Sequence, residues 1–118
     1  MSKFEFKNNN VELEINGQNF SVELTNDVLL SCDDISNEAK KVLEAFEKTD
    51  DAKDMLTQAC DAMVKGIEDI IGVGAVAKIF GKKAITLFDL TDIIIFVRTE
   101  VNSALQKKMN SYAPKKKK

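Results

Sequence analysis

At 118 residues, 44% of them apolar and with a formal net charge of −2, the chain has the size of one domain and enough apolar content for a core without disulfide or metal. It has no histidine, no tryptophan, one proline and two well-separated cysteines, Cys32 and Cys60, which removes zinc fingers, Ser-His-Asp triads and Cys-His dyads. Residues 1–106 carry 11 Lys/Arg against 19 Asp/Glu, whereas residues 107–118 carry six lysines and no acid, so an acidic body that repels nucleic acid ends in a basic stretch able to hold phosphate only weakly and in a salt-dependent way.

Met1 to Phe6 alternate charge with phenylalanine and hold no apolar run of the signal-peptide kind, and no stretch approaches the roughly 20 apolar residues of a membrane span. The expectation is a cytoplasmic protein with reduced cysteines. Phe4 and Phe6 alternate about Glu5 and suggest a further extended segment before the Asn8-Asn9-Asn10 break. Val11, Leu13 and Ile15 then alternate with Glu12 and Glu14, Asn16-Gly17 follows, and Phe20, Val22 and Leu24 alternate with Ser21 and Glu23. This predicts a hairpin over 11–24 with a type I′ turn, Leu13 opposite Phe20 and Val11 opposite Val22, with one apolar face that must cover something.

A helical body is expected over 27–110. Thr25-Asn26-Asp27 offers an N-cap, after which Val28, Cys32, Ile35, Ala39, Val42, Leu43 and Phe46 recur at steps of three and four. Thr49-Asp50-Asp51 breaks that helix and caps a second, with Ala52, Met55, Leu56, Ala59, Met63, Ile67 and Ile70 on its stripe; the short connection favours an antiparallel pair. Gly72 and Gly74 end it, Ala75 to Phe80 forms a short connecting helix, and Thr86 with Asp89 reads as a capping-box variant opening a last helix from about Leu87 to Met109. The stripe of the last helix is Leu87, Leu90, Ile94, Val97, Val101 and Leu105; its β-rich Ile93-to-Val97 run reads as helix because of the cap, the length and the polar continuation. The fold class is thus α+β and mainly α, an N-terminal hairpin followed by three main helices and a short connecting helix. Residues 1–110 form a single domain, and 111–118 read as a disordered basic tail.

Gly72-Val73-Gly74 before a helix suggests a phosphate loop, but it follows no apolar strand and fits neither nucleotide fingerprint, which favours a plain turn. The cysteines lie on or beside apolar stripes, where cysteine behaves as a small hydrophobe. The acid pairs Asp33-Asp34, Asp50-Asp51 and Glu68-Asp69 lack a metal-ligand spacing and read as solvated faces or caps. No cofactor, metal or catalytic set is expected. In the last helix Phe88 and Ile95 share a direction about 100° from the core stripe and Phe96 lies nearly opposite that stripe. Either the hairpin wraps over them, or they form an apolar patch for another subunit or a partner chain.

The segment Ile71-Gly72-Val73-Gly74-Ala75-Val76-Ala77-Lys78-Ile79-Phe80-Gly81, with Leu87-Phe88-Asp89-Leu90 and the Ile95-Phe96-Val97 to Glu100 stretch, resembles the tail assembly chaperones of long-tailed phages and prophages of Gram-positive bacteria. The similarity covers most of residues 4–110, with Val73 where that segment more often carries an acid. It implies a non-catalytic protein, absent from the finished virion, that coats the tape measure protein, helps recruit the tail tube protein and self-associates. It also implies a short form and a frameshifted long form; the codons of Lys115 to Lys118 are necessarily A-rich, as a slip site would be. The matching segments add Ile79 and Phe80 to Phe88, Ile95 and Phe96 as partner-binding candidates. Two other readings stand beside it: a structural virion protein such as a tail completion or connector subunit, and a small nucleic-acid-binding regulator using the basic tail.

Overall fold

The computed structural model describes residues 1–46, 48 and 52–112. Within them the chain is α+β and mainly α: β1 (Asn10–Ile15), β2 (Gln18–Glu23), α1 (Asn26–Phe46), α2 (Ala52–Ile71), α3 (Ala75–Phe80) and α4 (Leu87–Tyr112). The Thr49-Asp50-Asp51 break, the Phe46 side chain and residues 113–118 of the expected tail lie outside the described residues.

β1 and β2 pair antiparallel with Val11 facing Val22 and Leu13 facing Phe20, as the alternation requires. Asn16 at φ 52° and Gly17 at φ 80° supply the two left-handed residues whose twist matches the paired strands. Val11, Leu13, Ile15 and Val22 are buried on the inner face, while Glu12, Glu14, Ser21 and Glu23 face water. Phe4 and Phe6 add no strand: the chain ahead of β1 has no regular structure and every residue of it is exposed.

The Thr25 hydroxyl accepts the Val28 N–H at 3.1 Å and so caps α1, whose buried residues are Cys32, Ile35 and Ala39. The α2 stripe buries Ala59, Met63, Ile67 and Ile70. The two helices run antiparallel, since Ser31 and Ile35 lie by Lys65 and Gly66 at one end, and Val42 and Ala45 by Met55 and Ala59 at the other. They meet most closely at Gly66, where an added Cβ would stand 2.6 Å from Ile35 Cδ1. A larger residue there would hold the helices apart.

The α4 cap forms as the sequence suggests: the Asp89 N–H donates to the Thr86 hydroxyl at 3.1 Å, and that hydroxyl donates to the Asp89 carboxylate at 2.7 Å. The helix runs through Ile93–Val97 and on to Tyr112, so Ser111 and Tyr112, expected in the tail, are helical, and the Ser111 hydroxyl donates to the Lys108 carbonyl at 2.6 Å. Leu87, Leu90, Ile94, Val97 and Val101 are buried as the stripe requires, Ile93 joins them and Leu105 is half-buried. α1 lines one flank of α4, with Ala39 and Leu43 near Ile94 and Ile95. α2 lies beneath, the Thr91 hydroxyl reaching Met63 Sδ at 3.9 Å. The hairpin covers a third side, held at its turn by the Asn16 amide donating to the Ile79 carbonyl at 2.7 Å and at its open end by Lys108 donating to Asn9. Removing Met63, Ile67, Leu90 or Val101 from water stabilises the fold by about 1.5–3 kcal/mol each.

Gly66→Val should force Ile35 from its place and lower stability by about 2 kcal/mol. Urea unfolding followed by circular dichroism reads this as a lower midpoint; an unchanged midpoint would mean that the two helices do not depend on the close approach at Gly66.

Candidate functional site

Gly72 and Gly74 have φ of 119° and 84°, conformations that side chains resist, so the α2–α3 turn requires both. They do not make an open anion site. One carboxylate oxygen of Glu68 accepts the Gly74 N–H at 3.1 Å and the Val76 N–H at 3.3 Å. The amides that would cradle a phosphate are therefore held by the chain's own anion. Glu68, read only as half of an acid pair, is the cap of α3, and α2 ends as expected with the Gly72 N–H on the Glu68 carbonyl. Val73 points into water at the tip of the turn.

The five partner-binding candidates divide. Ile79 and Phe80 are buried in the core, on the side of α3 they share with Ala75 and Val76, while Ala77 and Lys78 stay exposed; that side packs against α2 beneath the hairpin turn. Their assignment as contact residues is corrected: in this fold they support the surface rather than form it. Phe88, Ile95 and Phe96 are 76%, 58% and 37% exposed, so the hairpin does not wrap over them.

Phe88 and Ile95 stand two turns apart on one flank of α4 and border two depressions that share Leu43. One, of about 260 Å³ between α1 and α4, is lined by Ala39, Lys40, Leu43, Ile94, Ile95 and Arg98 among others. The second, of about 720 Å³, lies where the C-terminal part of α1 and the first turns of α2 meet the start of α4, and is lined by Leu43, Leu56, Cys60, Ile85, Leu87 and Phe88, with Thr86 at its edge. Its walls are mostly apolar and Leu43, Leu56, Ile85 and Phe88 are exposed. Phe96 lies about 100° further round α4 than Ile95 and lines neither depression.

Leu43, Leu56 and Ile85 are the residues the sequence did not single out. Leu43 and Leu56 read as core stripe, yet each is left more than a third exposed, 38% and 39%. Ile85 sits in the loop before the cap, where no periodicity marks it.

Both cysteines are free, and burial raises the pKa of each thiol, which disfavours the thiolate needed for redox exchange. Among the described residues no three of His, Cys, Asp and Glu gather in a way that could hold a metal ion, and no helix is long and apolar enough to cross a membrane.

The fold and this surface define a hairpin-covered helical domain with an uncovered apolar flank on its last helix. The chain belongs to a family of unknown function (DUF6673), with residues 9–118 matched. No curated protein and no solved structure matches it.

Glu68→Ala should leave the Gly74 and Val76 amides without their acceptor, lower stability by about 1–2 kcal/mol and speed hydrogen exchange at both. Equal exchange in the two proteins would show that the carboxylate does not hold the turn. The Lys83 ammonium, followed by the Thr86 hydroxyl, holds the Asp89 carboxyl below its ordinary value of 3.8. A lowered folded-state pKa adds stability that is present above the unfolded value and fades as pH falls through the folded one. The difference in melting temperature between wild type and Asp89→Asn should therefore be largest near neutral pH and shrink as pH falls below about 4. A difference independent of pH would count against that charge.

Proposed function

We propose that the protein is the short form of a phage tail assembly chaperone, a non-catalytic protein of the host cytoplasm that holds hydrophobic stretches of the tape measure protein and helps recruit tail tube subunits. The resemblance of Ile71 to Gly81 and of Leu87 to Glu100 motivates the assignment. The observation that carries the binding claim is the exposed pair Phe88 and Ile95 on α4, beside the groove that Ala39, Leu43 and Ile94 line. Apolar residues two turns apart beside a shallow apolar groove suit an amphipathic helical segment laid across them, the helix-in-groove mode of recognition. Lys40 and Arg98 rim that groove and would favour a client segment with acids beside its apolar residues.

Two measurements test the proposal. Ile95→Lys, alone and with Phe88→Lys, should weaken capture of the co-expressed tape measure protein by about a hundredfold while leaving the helical circular dichroism unchanged, because both side chains already face water. Undiminished capture would remove the flank from the binding surface. The coding DNA around Lys115 to Lys118 should carry an A-rich slippery run followed by an overlapping reading frame; a gene without either would count against a frameshifted chaperone.

A further inference from the structure

The residues ahead of β1 form an arm with no place on their own domain. Phe4 and Phe6 are 80% and 92% exposed, and their contact with each other, edge to face at 5.2 Å between centroids, leaves most of both rings in water. The sequence Lys3-Phe4-Glu5-Phe6-Lys7 alternates, so in an extended backbone both rings share one face and the three charges the other. Such a segment is built to lie against an apolar surface. The groove of Leu43, Leu56, Ile85 and Phe88, of about 720 Å³, is an uncovered surface of that kind.

We infer that the chain self-associates by arm insertion, with Phe4 and Phe6 of one copy seated in the Leu43–Leu56–Ile85–Phe88 groove of a second copy. Reach decides between a copy's own groove and its neighbour's. The arm leaves the fold at Asn9, which Lys108 holds near the far end of α4. Phe88 lies 20 helical residues away, about 30 Å. The backbone from Asn9 extends at most about 18 Å to Phe4 and about 11 Å to Phe6. A copy cannot fill its own groove, whereas a neighbour meets no such limit.

Charge favours the same partner. Lys3 and Lys7 against Glu5 give the arm a positive balance, while residues 10–106 carry 9 Lys/Arg against 18 Asp/Glu. Attraction between arm and body steers the encounter before the rings seat. Donor and acceptor lie at opposite ends of α4, so two antiparallel copies can exchange arms as a closed pair, or copies can add head-to-tail. The inference does not depend on which client the protein serves.

The test uses the full chain in analytical ultracentrifugation, with two variants at exposed positions: an arm variant, Phe4→Ser with Phe6→Ser, and a groove variant, Leu56→Lys. Wild type should sediment as species that grow with concentration, and each variant should raise the dissociation constant at least about tenfold. Mixed together, the two variants should recover a one-to-one pair that stops there, because one sound arm meets one sound groove. A wild type that stays monomeric, an arm variant that assembles as wild type does, or a mixture that forms no pair would each overturn the inference. Phe4→Cys provides a second readout: mild oxidation should join the installed thiol to Cys60 of another copy, as mapped by peptide mass spectrometry. Crosslinks that avoid Cys60 would overturn the proposed seat.

Discussion

The last helix is apolar on more sides than one neighbour can cover, and the rest of the fold is arranged around that excess. Leu90 and Val101 are withdrawn entirely from solvent, with Ile93 and Ile94 buried on either side of their line. A helix that is apolar over so wide an arc needs several partners. α1, α2 and the hairpin each take one sector, and α3 fits under the hairpin turn. Among the described residues no further element is left for the remaining sector, and Phe88 and Ile95 stay in water. The uncovered flank is what remains when a broad apolar helix is packed by a small set of neighbours, and it is the physical basis of the interaction role proposed for the protein.

Much of this was legible from residue order. The hairpin register followed from a side-chain period of two and an Asn-Gly pair, signals that lie within about a dozen residues. The α1 and α4 caps and the helical nature of the Ile93-to-Val97 run were equally local. What was missed depended on distant chain. Gly66 is a weak helix former whose reason is Ile35 on another helix. Glu68 looked like a solvated acid until α3 turned back onto it. Ile79 and Phe80 sit in a stretch whose resemblance suggested contact, but α3 lays them against α2 and under the hairpin turn, a tie across 63 residues. The exposure of Leu43 and Leu56 depends on how far their neighbours cover each stripe, which no periodicity encodes.

The glycine turn shows how similar local chemistry leads to different roles. Two left-handed glycines ahead of a helix present amides that attract an anion, and in other settings the anion is a phosphate. Here it is a glutamate three residues short of the end of α2, close enough for one carboxylate oxygen to take both amides. The turn thereby becomes a fixed joint between α2 and α3, and it holds Ile79 and Phe80 in place beneath the hairpin. Binding capacity is left to the apolar flank.

The tie between Asn16 and the Ile79 carbonyl spans 63 residues, and that from Asn9 to Lys108 spans 99. The hairpin leaves the ribosome early, yet two strands alone are marginal in water. At about 5–20 residues per second, several seconds pass between synthesis of β2 and synthesis of the start of α4. Throughout that interval Val11, Leu13 and Ile15 of β1 lack the α4 surface they cover in the finished fold and the edges of both strands are open. The nascent chain thus passes through a period in which it resembles the exposed hydrophobic segments it is proposed to protect.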